Sequence, residues 1–129
     1  MSYLLHGLCA IAVALVVAGC EKPASAGVPG TYFADYIGDR DEIQLRSNGT
    51  YTHALGTSEF KQVDTGKWMV ETLPNEGLGI SLYSFRFRDH NGQTKPPGIW
   101  HVEVNVGALS GEYRLCFDPD LGSCFIKKN

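Results

Sequence analysis

From Gly30 to Lys127 apolar and polar positions alternate with a period of two and are interrupted about every ten residues by turn residues. Gly30-Thr31-Tyr32-Phe33 opens a β-branched and aromatic run, and Glu42-Ile43-Gln44-Leu45-Arg46 alternates cleanly. Asn48-Gly49 follows, the strongest short signal for a hairpin, and Thr50 to Leu55 returns. A two-residue Asn-Gly loop would put Ile43 and Leu45 on one face with Thr52 and Ala54, leaving Tyr51 and Leu55 on the other. A three-residue Ser47-Asn48-Gly49 loop instead places Ile43, Leu45, Tyr51 and Leu55 together. Burial sets register, so the pattern predicts the second arrangement, with Gly49 left-handed in a bulged turn.

Five further strands are predicted: Gly66 to Glu71, Gly79 to Arg88, Ile99 to Val106, Glu112 to Phe117 and Ser123 to Lys127. In the run GISLYSFRFR the apolar set moves from even positions (Ile80, Leu82) to odd ones (Tyr83, Phe85, Phe87), which requires a bulge near Tyr83-Ser84. No stretch after residue 30 carries the 3.6-residue period of a helix. The fold class is therefore all-β: a single antiparallel meander of seven or eight strands, forming a small barrel or a sandwich. The aromatic residues, Trp68, Trp100, Tyr32, Tyr83, Phe85, Phe87, Tyr113 and Phe117 among them, are expected to fill its core.

The first twenty residues follow a different pattern. Leu8 to Ala18 is apolar and uncharged but far shorter than the roughly 20 residues that cross a hydrocarbon core, so it has the length of a signal-peptide h-region. It ends in Val17-Ala18-Gly19-Cys20, which resembles the lipobox of bacterial lipoproteins: an aliphatic residue, two small ones and a cysteine. The n-region before it lacks the usual Lys or Arg. The resemblance implies cleavage after residue 19, a diacylglycerol on the Cys20 thiol and anchorage in a membrane of the envelope. Glu21, where an Asp is absent, resembles the sorting pattern for the outer membrane, facing the periplasm. Residues 21–29, rich in Pro, Ala, Gly and Ser, read as a flexible tether to a domain spanning residues 30–129.

With Cys9 removed and Cys20 acylated, Cys116 and Cys124 are left as a pair outside the cytoplasm, where a disulfide is expected. All charged residues follow residue 20, and the net charge of −3 with no basic cluster before Lys127-Lys128 argues against a nucleic-acid partner.

Gly30-Thr31-Tyr32, then Asn48-Gly49-Thr50-Tyr51, then Gly66-Lys67-Trp68 is similar to the small lipocalin-like domains of envelope lipoproteins, including the NlpE type, over residues 30–70. That resemblance implies a ligand-binding, sensing or protein-contacting barrel without catalytic residues. The Cys-x-x-Cys of the NlpE type is replaced here by Asp39-Arg40-Asp41-Glu42, so no copper role is implied.

Motifs for other chemistry do not assemble. His53, His90 and His101 show no metal-ligand spacing, and His53 and His101 are expected on solvated strand faces. There is no nucleophile elbow, phosphate loop or zinc-protease motif, so neither a catalytic site, a metal nor a cofactor is expected. Two modes of binding remain. One is contact with an envelope protein (as inhibitor, immunity protein, or assembly or stress-signalling partner) through loops carrying Asp35, Asp39, Asp41, Asp118 and Asp120. The other is carriage or sensing of a small apolar ligand inside the barrel. A purely structural envelope role is a third possibility.

Overall fold

The computed structural model describes residues 24–36, 39–56, 61–88, 93–118 and 123–128. Eight antiparallel strands close into one barrel in sequence order: β1 (Gly30–Tyr36), β2 (Asp39–Leu45), β3 (Thr50–Gly56), β4 (Lys61–Thr72), β5 (Leu78–Phe85), β6 (Gly98–Val106), β7 (Tyr113–Asp118) and β8 (Ser123–Lys127). The ring closes where Tyr32 and Phe33 of β1 face Lys127 and Ile126 of β8, reinforced by the Lys128 amide donating to the Thr31 carbonyl at 2.9 Å. Closure removes both free edges, the standing hazard of a sheet protein.

The β2–β3 hairpin has the register that burial demands. Leu45 faces Tyr51 and Ile43 faces His53. Gly49 takes a φ of 86°, and its amide donates to the Arg46 carbonyl at 3.1 Å. Only a residue without a Cβ adopts that conformation at little cost. The parity switch in β5 falls at the expected place, but Tyr83 stays on the outer face beside Met69 instead of entering the core. The β5–β6 register shifts between Leu82 and Phe85, and Ser84 sits at a φ of 55°, the extra residue of the bulge. Leu82 and Phe85 thereby both turn inward and are fully buried.

β4 begins at Lys61, five residues earlier than the hydrophobic pattern indicates. The reason is that the inward positions of Lys61–Thr65 are polar. Val63 points out and is 63 % exposed, while Gln62 and Asp64 turn toward the barrel interior. A strand whose inward side is polar leaves no period-two hydrophobic signal.

Strand direction sorts the connections into two ends. The turns at residues 46–49, 73–77 and 107–112 lie at a lower end, and the connections after β1, β3, β5 and β7 lie at an upper one. The lower end is plugged by the segment before β1. Residues 24–29, expected as free tether, are folded onto the barrel. Ser25–Gly27 forms a short 3-10 turn, and Val28 is completely buried. The Tyr32 hydroxyl donates to the Val28 carbonyl at 2.5 Å, Lys127 Nζ donates to the Gly27 carbonyl at 2.6 Å, and the Ala24 amide donates to the Tyr113 hydroxyl at 3.1 Å. A single valine among small residues carries no sequence period, yet it supplies the stopper. Burial beneath it raises the Tyr32 hydroxyl pKa well above the ordinary phenol value.

Above the plug the interior is filled by side chains from every strand, including Tyr32, Ile43, Tyr51, Ile80, Leu82, Val102, Leu115 and Phe125. The barrel encloses a core rather than a lumen, as an eight-stranded barrel of this size permits.

Candidate functional site

The upper half of the interior carries a few buried polar groups beside an aromatic cluster of Phe85, Phe87, Trp100, Phe117 and Phe125. Asp41 lies on β2 with the same parity as Ile43 and Leu45, and His53 lies on β3 between Tyr51 and Leu55. Both therefore point inward, and they are 2 % and 1 % exposed. His53 Nε2 stands 2.6 Å from Asp41 Oδ1. A carboxylate accepts, so Nε2 carries the hydrogen of this bond. The imidazole lies flat on Phe85, with centroids 4.4 Å apart and an interplanar angle of 20°. Among the described residues its buried Nδ1 has no hydrogen-bond partner. The solvated face expected for His53 and the partner-contact role expected for Asp41 are both corrected by this pair. Parity within each strand, rather than the polarity of the residue, decides where they point.

Directly across β3–β4 from His53 is Asp64. Arg86, just past the β5 bulge, reaches it through Nε at 3.0 Å and through a second nitrogen at 2.5 Å, and Gln62 donates to it at 2.9 Å. The Arg86 hydrogen bonds outweigh partial burial and hold the Asp64 carboxyl below its ordinary value of 3.8. Tyr51, one layer below, donates to the Tyr83 carbonyl at 2.6 Å; burial, with Asp64 nearby, pushes its hydroxyl up to about 12.

Asp64 makes a pH test available. Its depressed pKa contributes stability at pH values above the unfolded value, and that contribution is lost as pH falls through the folded value. Arg86→Gln is therefore expected to lower unfolding free energy at pH 7, with the gap to the unsubstituted protein narrowing below about pH 4. Urea titrations at pH 7 and pH 3 check this; a gap of constant size would show that Arg86 acts by packing alone.

On the outer wall, Glu71, Ser81 and His101 meet across β4, β5 and β6. Ser81 Oγ donates to Glu71 Oε2 at 2.6 Å and lies 3.2 Å from His101 Nδ1, which is itself 3.0 Å from both Glu71 oxygens. Partial burial pulls the Glu71 carboxyl up, but the Ser81 hydroxyl and His101 together hold it below its usual value. The residue types suggest a nucleophile, base and acid, but the geometry does not. One ring nitrogen faces both partners, and the serine proton goes to the carboxylate, so the hydroxyl is not handed to a base. This is a surface clasp between strands. His101, exposed, is where the sequence places it. Among the described residues no three His, Cys, Asp or Glu side chains converge as metal ligands.

Cys116 and Cys124, facing each other across β7 and β8, form the expected disulfide, with Cα atoms 4.1 Å apart. Cys116 is buried, and Asn105 Nδ2 approaches its sulfur at 3.6 Å. Replacing both cysteines by alanine is expected to cost about 2.5 kcal/mol by the loop-entropy relation. Denaturant midpoints of the oxidised protein and the double variant measure it, and equal midpoints would mean the bridge is thermodynamically idle.

The remaining expected contact residues can now be placed. Asp35 and Asp39 face neighbouring strand positions at the top of β1 and β2, and Asp118 ends β7 at the same end, because β1 also pairs with β8. The topology thus brings the two expected loop regions to one rim. Asp120 and Cys20 lie outside the described residues, as does His90. Below that rim, on the outer side of β2, β3 and β4, runs a groove of about 250 Å³. Ala54 forms its floor, Val63 and Lys61 one bank, and the Arg40–Glu42 ion pair the other. The pattern gives no hint of this groove, because its apolar floor is one small residue and its banks come from three strands.

Fold and site together define a closed antiparallel barrel with a filled core, a few buried polar groups and a mixed apolar and charged groove on the outer wall of β2, β3 and β4. No known family model, curated protein or solved structure matches the chain.

Proposed function

We propose that this protein is a bacterial envelope lipoprotein, acylated at Cys20 and facing the periplasm from the outer membrane, whose barrel works by binding a protein partner rather than by catalysis. The observation that carries this reading is the filled interior. Tyr51, Phe85, Phe125 and the His53–Asp41 pair occupy the space that a carried ligand would need. Recognition then falls to the outside, where the upper rim offers charge of both signs around the apolar groove at Ala54 and Val63. The same occupancy weighs against a carrier of small apolar molecules. The Cys116–Cys124 disulfide suits an oxidising compartment, and the lipobox and Glu21 support the anchor and its membrane. The partner roles that fit are inhibitor, immunity protein, or assembly or stress-signalling component.

Two experiments test the reading. The acylated full-length protein is used to capture partners from detergent-solubilised envelopes, with proteins and lipids identified by mass spectrometry, alongside an Ala54→Arg variant that fills the groove. A protein retained by the first and lost by the second is the expected result. Stoichiometric lipid from the barrel, or capture indifferent to Ala54→Arg, would overturn the groove as the contact. Separately, Cys20→Ala is expected to move the protein out of the detergent phase, and unchanged partitioning would end the lipoprotein reading.

A further inference from the structure

The N-terminal plug fixes more than the core. Ala24 is held to the lower end through both its amide and its carbonyl, which meet the Tyr113 hydroxyl at 3.1 and 3.3 Å. Only Glu21, Lys22 and Pro23 separate Ala24 from Cys20. Four Cα steps reach at most about 14 Å even when fully extended. Where residues 21–29 were expected as tether, only residues 21–23 remain between Cys20 and the barrel, and they lead to its lower end.

Tyr113 opens β7 immediately after the β6–β7 turn. That turn is closed by the Gly107 amide donating to the Glu112 carbonyl at 2.8 Å and the Gly111 amide to the Gly107 carbonyl at 2.9 Å. At its tip Leu109 is fully exposed, the most exposed large apolar side chain of the described residues. A lone exposed leucine is ordinary on a protein surface and by itself means nothing. Here it projects from the end of the barrel to which the anchor is tied, beside the attachment point. Lys127 and Lys128 end β8 at the same end, Lys127 already engaged with the plug.

We propose that the closed lower end of the barrel lies against the bilayer that holds the acylated Cys20, with Leu109 seated among the lipid headgroups and the upper rim turned away. The inference rests on the lipoprotein reading and adds an orientation to it. A leash of this length cannot hold the barrel upright on its upper rim, with the lower end turned away from the membrane, without pulling Ala24 and Val28 off the barrel and emptying the plug. The orientation leaves the groove at Ala54 and Val63, on the upper part of the outer wall, available to a partner that is not a lipid.

The test uses the acylated full-length protein in vesicles of phosphatidylethanolamine and phosphatidylglycerol, with an environment-sensitive nitrobenzoxadiazole label on Leu109→Cys or, at the opposite end, on Ile99→Cys. Both positions are exposed, and with Cys116 paired to Cys124 and Cys20 acylated the new thiol is the reactive one. The expected result is a several-fold rise and blue shift in emission at position 109, with quenching by lipids spin-labelled near the headgroup and no change at position 99. Emission at 109 that stays water-like while the acylated protein floats with the vesicles would overturn the orientation alone. Protein that carries no acyl chain by mass, and does not float, would remove the lipoprotein reading and the orientation together.

Discussion

Phe85→Ala is expected to destabilise the barrel by about 3–5 kcal/mol, the range for deleting a buried aromatic ring. Among the fully buried rings of the described residues, Phe85 gathers the most aromatic neighbours. Phe85 is fully buried, stacks on His53 at 4.4 Å and on Phe117 at 5.3 Å, and meets Tyr51 edge-on at 5.8 Å. Each such aromatic contact contributes about 0.5–1.5 kcal/mol beyond area burial. The ring also floors the buried polar groups, so its removal leaves a void next to an imidazole whose Nδ1 has no partner among the described residues. Since a small domain has only about 5–15 kcal/mol in total, the variant is expected to be marginal at room temperature. Guanidinium titration checks it, with Phe85→Leu as a control that keeps most of the volume. A loss below about 1 kcal/mol would show that the upper core rearranges to fill the space.

Asp41→Ala is the second large effect, and its cause is different. Little apolar area is lost, but His53 is left buried with neither ring nitrogen satisfied by a described residue. Breaking a buried pair from one side costs about 3–5 kcal/mol, whereas replacing both members by apolar residues of similar volume is often neutral. The expected order of stability is therefore unsubstituted protein and Asp41→Leu/His53→Phe close together, Asp41→Asn somewhat lower because its oxygen still accepts from Nε2, and Asp41→Ala lowest. Denaturant midpoints of the four proteins measure the order. If the double variant were as unstable as Asp41→Ala, the pair would be serving the fold through geometry that apolar side chains cannot reproduce.

How far the sequence reaches into this molecule depends on what each element buries. The β2–β3 hairpin and the β5 bulge are legible because a shift of one residue would turn Ile43, Tyr51 or Phe85 into water, and only one arrangement avoids that. The start of β4 is illegible because Gln62 and Asp64 occupy the inward positions where the pattern looks for apolar residues. His53 is an intermediate case. The register that buries Tyr51 and Leu55 puts His53 inside as well, and Asp41 shares its face, so parity was available as a signal. Residue type pointed the other way, because a buried imidazole is acceptable only with a partner that the linear sequence does not identify.

The sequence by itself determines the all-β class, seven or eight antiparallel strands in order, the turns that join them and the disulfide pair. These follow from local rules: period-two burial, the left-handed turn at Gly49 and the small number of cysteines. Only the tertiary structure decides that the sheet closes into a barrel, that Val28 stoppers its lower end, that Asp41 meets His53 and Arg86 meets Asp64 inside it, and that Ala54 lies at the bottom of a groove. Each of those depends on which strands become neighbours in space. Closure joins residues nearly the whole chain apart, Tyr32 with Lys127, and contacts at that range leave no period in the sequence.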